Sequence, residues 1–557
     1  MNLFKMKSIL LFSLIFTVVI SSSYIFISTV HELQFTNSEY FKDQALSYRI
    51  KSNKLKASRG NIYDTNLNVV ASSSRSFNIG IFPKQVKNVD EVATAIGVIL
   101  NIDNEKIMEK ITSSNNFFYL KRNIEFNAGE EIKSWNLDGI VLEPSYMRHI
   151  HLDSLKKIIG KVDPDENGIE GVEYYFNSNL EGKDGEIRYE ASPNGKMIPQ
   201  AEVKTVQPVH GQDIILTIDS DLQYLSESLC KDALIKTEAL NCSIVFSYAN
   251  SGEILISAEQ QSASFESYNI DLISLRAIYE PGSSLKIFSI GAAIESGLID
   301  ETTKFVVNDN IEIIDGSCAK NYQGYKACYR DFLNHDPYEL SVMEIIERSS
   351  NVGTILATQD LEIDYLEDYL SKFGFGKPTG VELTGELSGG FRDYNTCATC
   401  LSSLSIGYSI NVTQLQMIKA YSIIANGGID VNLSMVKKEK TILNKEQIIS
   451  SETANRLKKL LINVVDGEYG TGRSLKLENY IIGGKTGTSR THIEGVGYSD
   501  FRYNTSFTGF IETSKGPVVG SVILWGASVN PRSEYVTGGS TAAPIFKNIV
   551  SNLVPGE

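Results

Sequence analysis

The chain has 557 residues, of which 42% are hydrophobic and 21% are charged. That length exceeds one ordinary hydrophobic core and the composition is globular, so we expect two or more domains. The formal net charge of −15 argues against nucleic acid as a partner, because nucleic acid favours a basic surface. The six histidines form no metal-binding motif, so we predict no metal site and no cofactor.

The N-terminus contains an uncharged segment that is long enough to cross a bilayer. It runs from Ser8 to Val30 and follows Lys5 and Lys7. These features predict a transmembrane anchor, 8–30, after a cytoplasmic tail, 1–7. A cleaved signal peptide is the alternative, since Ser21–Ser23 offers small residues for cleavage. With an anchor, the remainder of the chain lies outside the cytoplasm.

The next region, residues 31–238, alternates short apolar runs with glycine and asparagine. This pattern predicts strands and short helices. Phe117–Leu120 and Ile214–Thr217 are strand-like pieces, and Asp219–Ala239 has a helical pattern. None of the motifs described below falls in this region, so we expect it to be a pedestal without catalytic groups.

The last region, residues 239–557, predicts a sheet covered by helices. It opens with a β-hairpin, continues with a helical middle, and ends with three strands and a helix. The predicted segments are Ser243–Tyr248, Glu253–Ser257, Ser283 to about Gln416, Tyr480–Gly487, Ser506–Ile511, Val518–Trp525 and Ala543–Leu553. Two early and three late strands with helices between them favour one antiparallel sheet, an α/β arrangement of the α+β kind.

Three short motifs follow one another within this region: Ser283-Ser284-Leu285-Lys286, Ser349-Ser350-Asn351 and Lys485-Thr486-Gly487-Thr488. Ser-x-x-Lys also begins at Ser154, Ser228 and Ser434, so it is weak alone. Only Ser283 follows a Pro-Gly turn and opens a nearly all-apolar helix, which predicts a buried helix with Lys286 one turn after the serine. A capping serine with a solvated lysine is the alternative. It fits poorly, because the lysine would be buried without a partner.

These residue types indicate a serine nucleophile activated by lysine. Lys286 acts as a base only when neutral, so burial or a nearby positive charge must lower its pKa, and Lys485 is a candidate for that charge. Ser349 is a candidate proton shuttle, and Asn351 a candidate partner of Lys286 and of a substrate amide. The alternative for Ser349–Asn351 is an ordinary helix cap.

The Lys-Thr-Gly motif follows a strand-like run, so we expect it on an edge strand. The amine of Lys485 and the hydroxyls of Thr486 and Thr488 suit a substrate carboxylate, and Gly487 lets a substrate backbone approach closely. The alternative is a plain glycine turn with a solvated lysine. That alternative gives no reason for three motifs in one order.

This ordered set is typical of serine β-lactamases and penicillin-binding proteins. The chain resembles class B penicillin-binding proteins of the septal, FtsI type. The resemblance runs through nearly the whole chain after the first helix, and the matching segments include Arg59–Ile62, Gly168–Glu173, Leu216–Asp219, Tyr279–Gly282, Ile406–Tyr408, Thr413–Gln416 and Ala542–Pro544. Glu280 is closer to the septal than to the elongation-specific branch. Leu67 and Ser409 stand where the family usually has glycine, and Ser284 and Leu285 replace its usual Thr-Phe, which leaves local turn geometry and pocket lining in question.

The resemblance implies the penicilloyl serine transferase fold on an extended pedestal and a septal D,D-transpeptidase. Ser283 would attack the D-Ala-D-Ala amide of a peptidoglycan stem peptide, and β-lactams would acylate the same serine. The N–H groups of Ser283 and Thr488 would form the oxyanion hole. The implied location is the inner membrane, single-pass, with the catalytic domain on the periplasmic side. Implied partners are membrane division proteins, including a glycosyltransferase that uses lipid-linked substrate.

Other functions remain open alternatives: a β-lactam-sensing or β-lactam-hydrolysing protein, an elongation-specific transpeptidase, or a division scaffold with vestigial motifs. The acceptor amine and the oligomeric state also stay open. An exported domain can oxidise its six cysteines. Cys318 and Cys328 bracket a polar loop and can pair, whereas Cys397 and Cys400 suit a short disulfide, a redox pair or two buried thiols. The connectivity cannot be deduced from spacing.

Overall fold

The structure is a computed structural model. It describes residues 3–192, 197–198, 203–262, 270–323, 327–393, 397–438, 446–493, 497–528 and 536–554. The chain forms two compact units. The first comprises Met1–Arg59, Arg75–Tyr146 and Glu181–Gly211, and the second comprises Gly60–Ser74, Met147–Leu180 and Gln212–Glu557.

The part of the chain before residue 219 mixes short strands and helices, as predicted. Its helices are α1 (Leu3–His31), α2 (Ser38–Arg49), α3 (Val89–Leu100), α4 (Asn104–Ser113), α5 (Phe126–Ser134), α6 (Lys156–Ile159), α7 (Gly171–Tyr175) and α8 (Asn177–Leu180). Its strands are β1 (Ile50–Leu55), β2 (Ile62–Tyr63), β3 (Val69–Ile81), β4 (Phe118–Glu125), β5 (Ile140–Ile150), β6 (Gly185–Glu190), β7 (Lys204–Val206) and β8 (Ile214–Ile215).

Helix α1 has the length and composition of a single-pass membrane anchor. The candidate span covers Lys5–Thr36, and its apolar side chains are exposed. At 1.5 Å per residue, a helix of 29 residues is long enough for a hydrocarbon layer of about 30 Å. The predicted anchor, Ser8–Val30, lies within this helix.

The first unit is built around two sheets. Strands β1, β6 and β7 form an antiparallel sheet, while the end of β3 pairs with β4. Helices α3, α4 and α5 cover β3, and Phe77, Ile79 and Ile81 pack against Ile96 and Ile107. The end of β3, Ser76–Ile81, is buried throughout, and its apolar side chains together with the apolar faces of these helices explain this core.

The rest of the chain carries the larger core. Its helices are α9 (Ser220–Thr237), α10 (Ile273–Arg276), α11 (Lys286–Glu295), α12 (Val342–Arg348), α13 (Asn351–Thr358), α14 (Ile363–Lys372), α15 (Cys400–Ser405), α16 (Gln414–Ala425), α17 (Ser451–Asp466) and α18 (Ala542–Leu553). Its strands are β9 (Asn241–Tyr248), β10 (Ile254–Gln261), β11 (Lys304–Val307), β12 (Asn310–Glu312), β13 (Cys328–Arg330), β14 (Tyr338–Ser341), β15 (Gly390–Phe391), β16 (Ile410–Asn411), β17 (Ile482–Ile493), β18 (Gly497–Ile511) and β19 (Val518–Ala527).

One antiparallel sheet of five strands organises the second unit, in the order β10-β9-β19-β18-β17. Helices α9 and α18 cover one face, where Phe246 and Phe507 contact Phe546. Helices α11 and α16 cover the other, where Phe288 packs on Tyr421. The predicted hairpin, late strands, linking helix and closing helix are confirmed, and β17 lies at the edge of the sheet.

The helical middle differs from the prediction in one respect. Helices α11 to α16 are interrupted by three small antiparallel ribbons, β11–β14, β12–β13 and β15–β16. These strands have two to four residues, which is too short for alternation to be visible in the sequence.

The six cysteines form three disulfides. The predicted option Cys318–Cys328 is present and closes the β12–β13 ribbon. Cys397–Cys400 is a short disulfide at the start of α15. The third joins Cys230 of α9 to Cys242 of β9, so it links a covering helix to the sheet.

Candidate active site

A tight turn places Ser283 at the start of a buried helix. Residues Gly282–Leu285 form one 3-10 turn that leads into α11. Gly282 has φ +54° and its N–H donates to the Gly407 carbonyl at 3.0 Å. Gly407 has φ +88°, and a Cβ there would clash with the Gly282 carbonyl, so both positions require glycine. The helix ends at a glycine stop, with Gly297 at φ +76° and the Leu298 N–H donating to the Ala293 carbonyl.

The two neighbouring serines of the turn have different environments. Ser283 is partly exposed, whereas Ser284 is fully buried. The Ser284 hydroxyl donates to the Pro281 carbonyl at 2.6 Å, and its own carbonyl accepts from the Tyr421 hydroxyl. Ser283 is therefore the serine that a substrate can reach, and Ser284 fixes the turn.

Lys286 is fully buried one turn after Ser283. Its Nζ donates to the Ser349 carbonyl at 2.7 Å and to Oδ1 of Asn351 at 2.6 Å. Burial lowers the pKa of Lys286 to about 7, and the negative charge of Asp331 opposes this fall. Such a lysine has a neutral amine available near neutral pH, which is the form that can accept a proton.

The other Ser-x-x-Lys pairs lack this environment. Lys157, after Ser154, forms ion pairs with Glu259 and Asp271 at 2.9 Å each. Burial lowers the pKa of Lys157, but the two carboxylates outweigh it and the net direction is upward. Such a lysine stays charged and cannot act as a base.

The Ser349–Asn351 segment separates two helices. Helix α12 ends at Arg348, and Ser349 adopts the left-handed conformation with φ +62°. Ser350 is the N-cap of α13, because its hydroxyl accepts from the Gly353 N–H at 2.8 Å. The cap function therefore belongs to Ser350, which leaves the Ser349 carbonyl and the Asn351 side chain directed at Lys286.

Asp331 also contacts this segment, and our sequence reasoning did not select it. Its Oδ1 accepts from the backbone N–H groups of Asn351 and Val352, at 2.5 and 3.0 Å, and its Oδ2 accepts from the Ser350 hydroxyl at 2.7 Å. It follows the ribbon strand β13, which the sequence pattern did not reveal. The neighbouring Cys328 was the one available signal, because a disulfide ribbon is rigid enough to support a site.

Edge strand β17 carries the third motif. Lys485 is fully buried, and its Nζ lies 3.2 Å from the Thr486 carbonyl and 3.4 Å from the Thr486 hydroxyl. Burial lowers the pKa of Lys485 well below its usual range, and the charge of Lys286 adds to this effect. We expected the charge of Lys485 to lower the pKa of Lys286, but burial causes that fall, and the charge effect between the two lysines is the one of Lys286 on Lys485.

The two threonine hydroxyls of this motif are oriented by loops of the same unit. The Thr486 hydroxyl donates to that of Thr471 at 2.8 Å. The Thr488 hydroxyl accepts from the Gly538 N–H at 3.2 Å, so its O–H remains able to donate to a ligand. Thr471 and Gly538 were not foreseen, because neither lies in a recognisable motif.

Gly487 is required by the protein itself. A Cβ at this position would clash with the Ser506 hydroxyl and lie 3.1 Å from the Pro281 carbonyl. The strand consequently packs directly on the turn that holds Ser283. The close approach that we expected for a substrate is made here by the turn that carries Ser283.

Glu280 and Ser409 explain a departure from the family pattern. Ser409 has φ +63° at the position where glycine is usual, a conformation that costs a residue with a Cβ roughly 1 kcal/mol. Its N–H donates to Oε1 of Glu280 at 3.2 Å, while Oε2 accepts from the Tyr498 hydroxyl at 2.9 Å. Leu67, the other substituted glycine position, likewise has positive φ, +67°. Both turns thus keep the geometry that glycine would adopt.

A half-exposed serine, a buried lysine with lowered pKa one turn later, and a second buried lysine on the adjacent edge strand define the serine–lysine class of acyl-transfer enzymes. The family description "Penicillin binding protein transpeptidase domain" matches residues 242–551. "Penicillin-binding Protein dimerisation domain" matches residues 54–216. The chain belongs to the penicillin-binding protein transpeptidase family and is a class B member, an enzyme of the serine transpeptidase type.

Individual relatives cover most of the chain. Stage V sporulation protein D of Bacillus subtilis is 27% identical over 98% of this chain and 85% of its own length. Peptidoglycan D,D-transpeptidase FtsI of Buchnera aphidicola is 28% identical over 82% of this chain and 79% of its own. The crystal structure of penicillin-binding protein 3 from Mycobacterium tuberculosis with aztreonam superposes with a TM-score of 0.65 at 23% identity, over 90% of this chain and 96% of that one. That structural likeness confirms the predicted fold.

Proposed function

We propose that this protein is a peptidoglycan D,D-transpeptidase that cross-links stem peptides at the division septum, with Ser283 as the residue that becomes acylated. One observation carries the proposal: Lys286 is buried beside Asn351 with a pKa of about 7, one turn after a serine that solvent can reach. An amine in that state is a base at physiological pH, which a serine nucleophile requires.

In the acylation step, Ser283 Oγ attacks the carbonyl carbon between the two terminal D-alanines of a stem peptide. Lys286 accepts the hydroxyl proton. The carbon–nitrogen bond breaks, a proton passes to the leaving amine through Ser349, and free D-alanine departs. The backbone N–H groups of Ser283 and Thr488 stabilise the oxyanion.

In the transfer step, the amine of a second stem attacks the Ser283 ester. Lys286 takes up the proton that this amine loses, a new amide forms as the ester carbon–oxygen bond breaks, and Lys286 passes the proton to the serine oxygen. No redox partner or metal is needed for this balance. A β-lactam enters the same first step, but its ring-opened acyl group stays on the serine.

The terminal carboxylate of the donor stem is bound, in this proposal, by Lys485, Thr486 and Thr488. Lys485 has a lowered pKa while the site holds no anion. A bound carboxylate favours the charged amine, so substrate binding and protonation of Lys485 support each other. The Thr488 O–H and the edge strand supply neutral hydrogen bonds.

The septal assignment rests on the FtsI relative and on Glu280. A second candidate is a transpeptidase of another stage of wall synthesis, which the near-complete coverage by stage V sporulation protein D favours. Depletion of the protein in its own cell separates these roles. Filaments support septation, rounded or swollen cells indicate elongation, and a defect confined to spores indicates sporulation.

We place the catalytic part on the periplasmic side of the inner membrane, held by α1. The proposed division is a cytoplasmic tail 1–7, an anchor 8–30, a pedestal 31–238 and a transpeptidase domain 239–557. Membrane division proteins, among them a glycosyltransferase using lipid-linked substrate, are the proposed partners. An accessibility scan with a membrane-impermeant thiol reagent, on single cysteines introduced at residues 6 and 38, tests the orientation.

The decisive experiment is covalent labelling of the detergent-solubilised protein with a fluorescent penicillin. Ser283→Ala abolishes labelling and Ser154→Ala leaves it intact, because Ser154 precedes a charged, ion-paired lysine. Peptide mass mapping places the adduct on Ser283. Labelling that persists in Ser283→Ala overturns the assignment. Rapid hydrolysis of the penicillin by the wild-type protein would instead indicate a β-lactamase.

A further inference from the structure

Asp331 connects the β12–β13 ribbon to the Ser350–Val352 segment at the start of α13, and none of the three motifs contains it. Its carboxylate is almost fully buried, with 8% of the side chain exposed. It accepts three hydrogen bonds from the Ser350–Val352 segment, which are those from Ser350 Oγ, Asn351 N and Val352 N. One carboxylate thus fixes the first turn of α13, which carries Asn351.

The support of Asp331 is rigid. It follows β13, which pairs with β12, and the Cys318–Cys328 disulfide joins the start of β13 to the connection between the two strands. The Asp331 N–H donates to the Asp309 carbonyl at 3.0 Å, across the ribbon. Tyr329 ties the ribbon to α15, because its hydroxyl lies 2.6 Å from that of Ser403. The ribbon also contacts Asn351 directly, since Nδ2 of Asn351 donates to the Arg330 carbonyl at 2.7 Å.

The position of Asn351 is therefore determined at three atoms. Asp331 holds its backbone N–H, Arg330 holds its Nδ2, and the remaining Oδ1 accepts from Lys286 at 2.6 Å. A flip of the Asn351 amide would break the bond from Nδ2 to Arg330, so this bond favours the orientation in which Oδ1 faces the lysine.

The charged and titratable neighbours are few among the residues that the structure describes. The charge of Asp331 acts on Lys286, and the charge of Lys286 acts in turn on Lys485. His335 faces Asp331, with Nε2 3.3 Å from Oδ2, and Tyr338 stacks on the His335 ring. Of these, Asp331 alone brings negative charge to Lys286.

We propose that Asp331 is a positioning residue of the reaction: it holds Asn351 against Lys286, and its charge sets the pH at which Lys286 becomes a base. This rests on the proposed role of Ser283. Without a nearby carboxylate, a fully buried lysine loses its proton well below neutral pH and becomes a weaker base. Burial thus makes the amine neutral enough, and Asp331 keeps it basic enough, to accept a proton under neutral conditions.

The test is the pH dependence of acylation by fluorescent penicillin, measured on the detergent-solubilised full chain from mildly acidic to mildly alkaline pH. Asp331→Asn retains an oxygen that accepts from the Asn351 and Val352 N–H groups but removes the charge. In the plot of acylation rate against pH, the rate rises on the acidic side to a plateau, and we call this rise the acidic limb. We expect the acidic limb of Asp331→Asn to move to lower pH. We also expect its plateau rate to fall about ten- to a hundredfold, which is the range for losing one charge-assisted hydrogen bond.

Three matched variants separate charge from structure. Ser350→Ala removes the hydrogen bond from Ser350 to Asp331 but keeps the charge of Asp331. We therefore expect its plateau rate to fall while its acidic limb stays at the same pH. Asp331→Glu keeps the charge, so its acidic limb should also stay at the same pH. If Asp331→Asn does not fold, Asp331→Glu is the variant whose acidic limb is measured. Asp309→Asn lies across the ribbon with no contact to the Ser350–Val352 segment, and both limb and plateau should match wild type.

An unmoved limb in Asp331→Asn overturns the proposal even if the rate falls, because a merely structural aspartate lowers the rate without moving the limb. A limb that disappears in His335→Asn also overturns it, since imidazole would then be the titrating group. The proposed function fails differently: wild-type protein would not be acylated at Ser283 at all. Mass mapping of the adduct before the pH series therefore distinguishes the two failures.

Discussion

Replacing Lys286 by methionine should abolish acylation and yet stabilise the protein at low pH. The side chain has a similar volume and suits a fully buried site, but it carries no charge. The ordinary lysine pKa of 10.5 falls to about 7 in the folded state. A fall of this size corresponds to about 5 kcal/mol in favour of the neutral form.

The sign follows from proton binding. Between the folded pKa of about 7 and the unfolded pKa of 10.5, the unfolded chain binds the proton and the folded chain does not. The free energy of unfolding of the wild type therefore rises with pH across this window. The cost of the buried lysine is fully present below pH 7 and vanishes above 10.5. The hydrogen bonds to Ser349 and Asn351 are lost in the variant, and we take this loss to be independent of pH.

The measurable quantity is the stability of wild type minus that of Lys286→Met. Linkage predicts that this difference rises by about 2–3 kcal/mol from about pH 6 to about pH 9. Urea unfolding can be followed by tryptophan fluorescence, because the chain has two tryptophans, Trp135 in the first unit and Trp525 in the second. In a Trp135→Phe background, the fluorescence of Trp525 reports the unfolding of the second unit alone. A difference that does not change with pH would refute the reasoning, because Lys286 would then be charged in the folded protein at every pH.

Three further expectations concern the same site and the anchor. Lys485→Ala should slow acylation about ten- to a hundredfold while the melting temperature stays within a few degrees. An unchanged second-order rate constant would show that Lys485 does not bind the substrate's carboxylate. Gly487→Ala should nearly abolish acylation, because its Cβ meets the Ser506 hydroxyl, and adding Ser506→Ala should restore part of the rate; a tolerated Gly487→Ala contradicts this packing. An exported form that starts near residue 31 should acylate normally but fail to complement a depletion strain, since it loses confinement near lipid-linked substrate, and full rescue would reduce α1 to an export signal.

Regular, strongly patterned elements were predictable from the sequence. The apolar run after Pro281-Gly282 predicted α11, and short runs rich in β-branched and aromatic residues predicted β9, β18 and β19. Each follows from a local rule, either a turn signal or a periodic burial pattern. The edge position of β17 was also foreseeable, because a glycine motif after a strand-like run favours the edge.

Features created by distant contacts could not be predicted in this way. Asp331 becomes significant only when the β12–β13 ribbon meets α13, and neither ribbon strand is longer than three residues. Thr471 is a similar case, because only its hydrogen bond with Thr486 in the folded protein shows that it belongs to the site. The pairing of Cys230 with Cys242 depends on α9 packing on β9. The family resemblance located the three motifs, but it offered no equivalent for these supports.

The strand order of the central sheet determines when the site can assemble during synthesis and folding. Strand β9, made early, pairs with β19, made almost last, and the edge strand with Lys485 joins through β18. Contacts of such long sequence separation form slowly and only after most of the chain has been synthesised. Ser283 and Lys286 therefore gain the second lysine beside them only after β18 has joined the sheet through β19. We expect a chain truncated before β19 to lack the assembled site and to escape labelling by penicillin.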